Sequence, residues 1–487
     1  MLVRNIVANY FGRAWSILAN FIFVPFYITY LGIGAYGLIV FYTILLTLSA
    51  TADVGLSATF AREAALHRGE GGLAGLLTTM ERLLYALLAV IALALFAGAD
   101  WIAGNWLKPT AVANHAAIAT SLRLMALSIV PQLGISLYVA GLLGLQRQGA
   151  ANLIQSAYIA ARGGLVIPLI AYDPRIELFF SWQLGVGVVF AIASRSILLR
   201  RLGTPILYLG RFEWKRLAPL RRYAGGMLAI GVIASLNTQF DKLVVSNLFT
   251  TQDLGYYSLA GMTGQLAYAA TLPILVAALP HWTALQGAGE SERVDALYGS
   301  YTFVVALLAA MATFALMFFA RDVFEVWVPG ETHPEQLIAV TRGLTIGGLF
   351  LALGAVPFYL GLAHGHNKTA LWIGLITVLL TGPAIVVLTP RFGLVGAAIP
   401  WLFLNFAAFA IFFAVIGRRF YHRSLAMLAL WSIAVPCLTA LIAMYAARML
   451  ADNFGWHGLN ACLIAGGIGA AGLFLALRAR RNNLTLA

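Results

Sequence analysis

The chain has 487 residues, of which 61% are hydrophobic and only 10% are charged. Soluble globular domains carry about a quarter charged residues, so this composition excludes an ordinary water-soluble fold. The formal net charge is +13, from 31 Lys and Arg against 18 Asp and Glu. In a membrane protein such a surplus reflects topology first, because cytoplasmic loops collect basic residues. The composition therefore predicts an all-α integral membrane protein.

Apolar runs of about 20 residues, enough for a helix to cross the hydrocarbon core, recur along the chain. The first run begins at Ile6 and is too long for the core of a signal peptide. We predict about fourteen transmembrane helices, at residues 6–31, 38–60, 82–99, 116–143, 150–172, 178–199, 223–248, 255–281, 297–320, 337–363, 369–389, 396–417, 425–448 and 457–477.

The distribution of basic residues predicts the orientation of these helices. With the N-terminus in the cytoplasm, 20 of the 31 Lys and Arg residues fall in cytoplasmic segments and five in external ones. Positive charge is retained on the cytoplasmic side of membrane proteins, so both termini are expected there.

The longest polar connection, from Arg200 to Arg222, holds seven basic residues interleaved with Tyr208, Phe212 and Trp214. It is interpreted either as a positive-inside signal with interfacial aromatic anchors or as an amphipathic helix on anionic membrane phospholipid. In both cases it is a basic cytoplasmic amphipathic linker at residues 201–222.

A weak internal repeat divides the chain. One offset of 221 residues superposes equivalent turns over about a hundred positions, including Tyr36 on Tyr257, Tyr138 on Tyr359 and Arg147 on Lys368. The unit contains six helices, an even number, so both copies enter the membrane in the same orientation. The repeat predicts two pseudo-symmetric six-helix lobes, an N-lobe at 1–200 and a C-lobe at 223–417, with helices 13 and 14 appended at 425–477.

Ionisable side chains inside transmembrane spans are costly unless paired or hydrated, so each is a candidate functional residue. Six here are basic and two are acidic: Arg13, Asp53, Arg123, Arg162, Arg195, Asp241, Lys242 and Arg342. Because Arg and Lys bind phosphate well, the basic surplus favours a cationic cavity for an anionic substrate. The substrate-binding candidates are Arg162, Lys242, Arg13, Arg123 and Arg342, and Asp53 and Asp241 are candidates for coupling to H⁺ or Na⁺ or for intramembrane pairing.

Depth in the membrane separates these candidates. Arg162 lies near the middle of its span, where it cannot reach the interface, and is the strongest candidate. Arg13 and Asp53 lie at similar depth on neighbouring helices and are expected to form an ion pair or to serve the cavity. Arg123 and Arg342 lie near external helix ends, where they either snorkel to the interface or line a vestibule. Arg195 lies near a cytoplasmic end and is assigned to topology.

No catalytic constellation is found in the sequence. It has no P-loop, no metal-ligand spacing and no external loop long enough for a catalytic domain. We therefore expect a protein that is not an enzyme, needs no cofactor or metal and binds no nucleic acid.

Several segments resemble polysaccharide (O-antigen) flippases of the multidrug/oligosaccharidyl-lipid/polysaccharide exporter superfamily. They are Val24–Ile28, Tyr30–Gly32 and Asp53–Leu56 near the N-terminus, Gly144–Arg147 followed by Asn152, Asp241 through Tyr257, and Phe392–Ala398. The resemblance implies two lobes around a central cavity that works by alternating access in the bacterial inner membrane. It also implies an undecaprenyl-diphosphate-linked oligosaccharide as substrate and polysaccharide polymerase machinery as a partner.

Three alternatives stay open. A peptidoglycan-precursor flippase also has fourteen helices and moves a lipid diphosphate. A multidrug antiporter of the same superfamily typically has twelve spans and an acidic lumen. A membrane glycosyltransferase or polymerase needs carboxylates on large external loops, whereas Asp100, Asp322, Glu325 and Glu331 lie in modest ones.

Overall fold

The computed structural model describes residues 19, 21–67, 72–108, 115–217, 220–330, 335–366 and 368–484. Helices account for nearly all of these residues, and no β-strand occurs among them. Arg13 and most of the first predicted span lie outside the described residues. The chain divides into two compact units, Met1–Gly255 and Tyr256–Ala487.

Unit 1 contains the first seven helices. They are α1 (Phe21–Leu31), α2 (Ile33–Leu66), α3 (Leu73–Ala97), α4 (His115–Gly144), α5 (Gln148–Tyr172), α6 (Ile176–Arg201) and α7 (Arg221–Leu248). After α3 the chain continues through a short helix, Ala99–Trp101, and a π-helical turn, Ile102–Trp106. Helix α4 packs against α2, α3 and α6, so it is the central helix of this unit.

The remaining helices belong to unit 2 except for the first turn of α8. They are α8 (Thr251–Gly287), α9 (Ser291–Trp327), α10 (Glu335–Ala363), α11 and α12 (together Lys368–Phe420), α13 (Leu425–Asn453) and α14 (Leu459–Leu484). Gly393 separates α11 from α12, because its φ of 64° and ψ of −148° interrupt the helix. That left-handed conformation is accessible to glycine and strained for other residues.

These helices confirm the predicted all-α fold with about fourteen transmembrane helices. Among the described residues, eleven continuous helices are long and apolar enough to span a membrane. The longest of them is broken at Gly393 into two spans, and two shorter apolar helices, Phe21–Leu31 and Leu459–Ala470, complete the set.

Several helices are longer than the apolar runs that predicted them. Helix α2 extends over Ile33–Leu66 where the run covers 38–60, and α9 extends over Ser291–Trp327 where the run covers 297–320. An apolar run marks only the part of a helix inside hydrocarbon, whereas the backbone hydrogen bonds continue into the polar interface.

The internal repeat is visible in the helix bounds. Moved by 221 residues, α4 falls on 336–365, and α10 occupies Glu335–Ala363. Moved by the same offset, α5 falls on 369–393, and α11 begins at Lys368 and ends before Gly393. These two helices of the repeat therefore have matching bounds in both copies to within about two residues.

Helices α2 and α7 approach closely within unit 1. A Cβ added at Gly55 would lie 2.5 Å from the carbonyl oxygen of Ala224, and one added at Gly231 would lie 3.2 Å from the Val54 side chain. Small residues let helix backbones meet in a membrane, where no hydrophobic force drives helices together. These two glycines thus allow α7 to pack on α2.

The connection between α6 and α7 is not one long amphipathic helix. Residues 204–213 have no helical structure, and the short helix Trp214–Leu217 follows them. Leu207 and Leu209 are exposed on this segment, as is Trp214. Of the seven basic residues, only Arg211 therefore lies in the non-helical part, and the other six belong to α6, to the short helix or to α7.

Candidate functional site

Helix α4 carries three polar side chains in its apolar central part. Ser128, Gln132 and Ser136 are spaced by four residues, so they lie on one face of the helix. Gln132 is buried, and its Nε2 donates to the hydroxyl of Tyr42 on α2, which also accepts from Ser128 Oγ at 2.7 Å. We call these three α4 residues the polar stripe.

Arg162 binds to the middle of the polar stripe. Its Nη1 donates to Gln132 Oε1 at 2.9 Å, and its guanidinium carbon lies 5.6 Å from the centre of the Tyr158 ring. The side chain is half-buried. Both of these partners are neutral, so they orient the guanidinium without cancelling its charge.

The backbone around Arg162 is a π-helical turn, Ala160–Gly164, inserted into α5. Such turns leave carbonyl groups without their usual helical donors and occur often at functional sites. Three consecutive carbonyls here accept side-chain hydrogen bonds from other helices. Tyr27 OH on α1 donates to Gly163 O (2.6 Å), and on α6 Trp182 Nε1 donates to Ala161 O (3.0 Å) and Gln183 Nε2 to Arg162 O (2.8 Å). These donors fix the turn that positions Arg162.

Asp53 binds to the end of the polar stripe. Its Oδ1 accepts from Ser57 Oγ at 2.6 Å, and its Oδ2 accepts from Ser136 Oγ. The carboxyl group is buried, with 4% of the residue exposed. Because Ser136 follows Gln132 by one turn, Asp53 and Arg162 contact α4 about 5–6 Å apart along its axis. The expected partner Arg13 lies outside the described residues, so their pairing stays a prediction.

Two of the other predicted site residues contact different groups. Arg123 Nη2 lies 2.6 Å from Asp100 Oδ2, and Arg123 is nearer the N-terminal end of α4. Lys242 Nζ lies 3.5 Å from the carbonyl oxygen of Thr238 on its own helix. The neighbouring Asp241 is half-buried on α7.

Arg342 is on α10 of unit 2, where its Nε donates to Met317 O at 3.0 Å. The structure therefore places Arg162 and Asp53 on one surface, the polar stripe.

Glu81 was not among the residues predicted from the sequence. This residue precedes the third apolar run by one position, yet it is buried within α3. Its two carboxylate oxygens accept from Arg195, from Nε at 2.8 Å and from Nη2 at 3.2 Å. Arg195, which was assigned to topology, thus forms a buried ion pair between α3 and α6.

The polar stripe was not predicted either, although its residue spacing is visible in the sequence. Three polar residues at four-residue spacing inside an apolar span predict a shared helix face. The partners of that face on α2 and α5 could not be known without the packing.

The embedded arginines of the described residues differ in whether a carboxylate lies beside the guanidinium. Arg123 contacts Asp100, Arg195 contacts Glu81, and Arg448 contacts Asp322 at 2.7 Å. Each of these three guanidiniums has a carboxylate beside it, whereas the hydrogen-bond and ring partners of Arg162 are neutral, as is the Met317 carbonyl that accepts from Arg342.

Comparison with known proteins agrees with this architecture. The profile of a family described as "Polysaccharide biosynthesis protein" matches residues 2–286. A Shigella flexneri protein described as "Putative O-antigen transporter" is 25% identical over 411 residues, which cover 82% of this chain and 94% of that protein.

Solved structures share the fold. The lipid II flippase MurJ in an inward closed conformation superposes with a TM-score of 0.75 at 11% identity, covering 99% of this chain and 100% of that chain. An inward-facing multidrug resistance MATE family transporter of the MOP superfamily gives a TM-score of 0.64 at 17% identity, covering 86% of this chain and 96% of that one.

Proposed function

Since the chain belongs to the polysaccharide biosynthesis protein family, we propose that it is a flippase for an undecaprenyl-diphosphate-linked oligosaccharide. It moves this lipid from the cytoplasmic to the periplasmic leaflet of the bacterial inner membrane, for the synthesis of O-antigen or another surface polysaccharide. Support comes from the similarity to a protein described as an O-antigen transporter and from the fold shared with a lipid II flippase. The basic bias of the predicted cytoplasmic segments supports cytoplasmic termini.

The position of Arg162 and its neutral partners are the main support for this proposal. A cation near the middle of a transmembrane segment is costly, and it persists where it serves a ligand or a pathway. Its partners Gln132 and Tyr158 hold it in place and leave its charge available. A diphosphate supplies the negative charge and the acceptor oxygens that a guanidinium binds best. Arg162 is therefore proposed to contact the diphosphate during transport.

The coupling step is proposed to use Asp53. Its carboxylate accepts from two hydroxyls, of Ser57 and Ser136, and lies one turn of α4 from the Arg162 contact. Binding of H⁺ or Na⁺ at this carboxylate changes the charge beside the diphosphate site, which is a physical route from an ion gradient to substrate affinity. In this scheme the lobes at 1–200 and 223–417 alternate access to the two leaflets, and helices 13 and 14 add to the second lobe.

The other charged candidates have subordinate roles in this proposal. Lys242 and Arg13 add positive charge for the oligosaccharide diphosphate, and Asp241 is a second candidate for ion coupling. Arg123 and Arg342 serve the approach to the cavity. Polysaccharide polymerase machinery is the expected partner that takes up the transported lipid.

A peptidoglycan-precursor flippase is the second candidate function. The structural similarity to MurJ, with a TM-score of 0.75 over the full chain, favours it. Both candidates move a lipid diphosphate, so Arg162 has the same role in each. A multidrug antiporter for cationic drugs is disfavoured, because the charge of Arg162 would repel its substrate.

The proposal is tested by analysing the lipid-linked sugars of a deletion strain. We expect a polyprenyl-diphosphate oligosaccharide to accumulate on the cytoplasmic side, and accumulation of peptidoglycan precursor instead would support the second function. Arg162→Ala should fail to restore export at normal protein levels. Arg175→Ala, a matched change at an exposed loop arginine, should restore it. Normal export by Arg162→Ala would contradict the proposed site.

A further inference from the structure

A separate cavity lies near the predicted cytoplasmic end of unit 1. Its volume is about 450 Å³, and its walls come from α3, α4, α6 and the α6–α7 connection. Thr78, Glu81, Arg82 and Tyr85 line it from α3, Tyr138 from α4, Ala191, Ile192 and Arg195 from α6, and Leu209 from the α6–α7 connection. The polar stripe and Arg162 are not among the lining residues, so this cavity is distinct from the proposed transport site.

The charges of the cavity leave one positive charge in excess. Glu81 and Arg195 neutralise each other through two contacts between the carboxylate and the guanidinium. Arg82 is exposed, and its Nη2 donates to the carbonyl oxygen of Gly210 at 2.6 Å. Its guanidinium has further N–H donors that bond to no other group among the described residues. The cavity thus offers a guanidinium at its mouth to an anion.

Two tyrosines that line the same cavity carry hydroxyl groups. Tyr85 OH and Tyr138 OH are 3.0 Å apart and form a hydrogen bond in which either oxygen can donate. Such hydroxyls can exchange hydrogen bonds with glycerol or phosphate oxygens. The walls that complete the cavity, Ala191, Ile192 and Leu209, are apolar. A ligand that is polar at one end and apolar at the other matches both sets of groups.

The backbone of residues 204–213, which we call the strap, closes one side of the cavity. Arg195 donates to two strap carbonyls, from Nη1 to Ile206 O at 3.1 Å and from Nη2 to Tyr208 O at 2.8 Å. Glu213 N donates to Thr79 Oγ1 at 3.3 Å. These bonds, with that of Arg82, hold the strap against α3 and α6. Its Leu207 side chain is 86% exposed, so the strap presents apolar surface outward.

Exposed apolar surface continues from the cavity toward the membrane interior. Ile192 lines the cavity and is 63% exposed, and Val188 and Val189, one turn away on α6, are exposed as well. On α3, Leu93 follows Arg82 by eleven residues, which places it on the same helix face, and it is exposed too. Acyl chains can lie along this surface while a headgroup occupies the cavity.

We propose that this cavity binds the phosphate headgroup of an anionic membrane phospholipid. The phosphate contacts Arg82, the glycerol region contacts the Tyr85 and Tyr138 hydroxyls, and the acyl chains lie along α6 and α3. The bound lipid contacts the strap through Leu209, so it ties the connection between α6 and α7 to the membrane surface. This site goes beyond the proposed transport function and does not depend on the transported lipid.

The test measures thermal unfolding of the full-length protein in detergent with phosphatidylglycerol, phosphatidylcholine or inorganic phosphate. A ligand that binds the folded state raises the unfolding temperature with concentration. We expect phosphatidylglycerol alone to do so, and native mass spectrometry to detect one retained phosphatidylglycerol. Arg82→Ala should weaken this effect about tenfold in lipid concentration, as the loss of a charge-assisted contact predicts.

Two further variants control the experiment. Ile192→Trp fills the cavity mouth from an exposed position and should remove the phosphatidylglycerol effect while leaving all charges in place. Arg147→Ala, at an exposed arginine in the α4–α5 turn, should keep the effect. The proposal is overturned if Arg82→Ala and Ile192→Trp both respond like the unmodified protein. An equal response to phosphatidylcholine, or a response to inorganic phosphate alone, would also overturn it.

Discussion

Replacing Gln132 by Glu separates the charge of Arg162 from its position. The substitution is nearly isosteric and puts a carboxylate oxygen where Oε1 now accepts from Arg162 Nη1 at 2.9 Å. The guanidinium keeps its hydrogen bond but gains a compensating negative charge. Tyr42, which loses the amide donor of Gln132, can turn its own hydroxyl proton toward the new carboxylate. We therefore expect Gln132→Glu to fold as well as the unmodified protein.

The magnitude of its effect on transport follows from Coulomb's law. A diphosphate oxygen on the far side of the guanidinium would lie about 7 Å from the new carboxylate. At an effective dielectric constant of about 20, that repulsion is roughly 2 kcal/mol. Substrate affinity should then fall roughly 30-fold. The measurement is the initial rate of lipid-diphosphate oligosaccharide flipping in proteoliposomes as a function of substrate concentration.

Gln132→Leu provides the opposite perturbation. It removes the acceptor for Arg162 without adding charge, so the free energy of unfolding should fall by about 1–3 kcal/mol while the cation stays available. We expect Gln132→Leu to be less stable but to retain most of its substrate affinity at low temperature. Wild-type flipping by Gln132→Glu would refute the use of the Arg162 charge. Equal loss of affinity in both variants would assign the effect to hydrogen-bond geometry instead.

Three other substitutions test the remaining parts of the structure. Asp53→Asn can accept from one serine through its amide oxygen and donate to the other serine through its amide nitrogen, so it should fold but make flipping in proteoliposomes independent of an imposed H⁺ or Na⁺ gradient. Tyr27→Phe removes a donor to the π-helical turn and should lower the free energy of unfolding by about 1–3 kcal/mol, measured by thermal denaturation. Asp322→Ala removes the acceptor for Arg448 Nη1 and Gly458 N and should cost about 1–3 kcal/mol in the same assay, because Arg448 keeps its second carboxylate partner, Asp452.

For each of these substitutions, one result would contradict the expected outcome. For Asp53, a response to the gradient as large as that of the unmodified protein would exclude it as the coupling group. For Tyr27, the control is Tyr30→Phe on the exposed side of α1, where a change below about 0.5 kcal/mol is expected. Equal effects of the two tyrosine changes would remove the special role of the π-helical turn. An unchanged unfolding temperature for Asp322→Ala would mean that its ion pair does not hold α13 to α9.

The sequence predicted the fold well because the membrane restricts what a chain can do. Every backbone polar group inside hydrocarbon must bond internally, so an apolar run of sufficient length predicts a helix almost without reference to its neighbours. The break at Gly393 was also predicted, since it falls between the predicted spans 369–389 and 396–417. The strap is not helical, because a segment at the membrane interface can bond its backbone to side chains instead. The carbonyl oxygens of residues 206, 208 and 210 accept hydrogen bonds from two arginines.

The site was only partly predictable. Depth along each span identified Arg162 and Asp53 as embedded residues, and depth follows directly from the apolar pattern. The π-helical turn at Ala160–Gly164 gives no apolar signal, because its residues are as small and apolar as their neighbours apart from Arg162. Which face of α4 meets α2 and α5 depends on helix packing, and one sequence does not determine it. The common contact of Arg162 and Asp53 with the polar stripe therefore emerged only from the structure.

Arg195 and Arg162 show why depth alone cannot assign a ligand-binding cation. Both guanidiniums belong to helices of unit 1, and both make hydrogen bonds to side chains of a neighbouring helix. The carboxylate of Glu81 already supplies Arg195 with the negative charge that an anion would bring, and two strap carbonyls take further donors. An anion approaching Arg195 would have to compete with those contacts. Arg162 is held by an amide oxygen and an aromatic ring, which orient the guanidinium and leave its positive charge largely uncompensated. The partners of an embedded cation, more than its depth, thus decide whether it is a structural contact or a binding site.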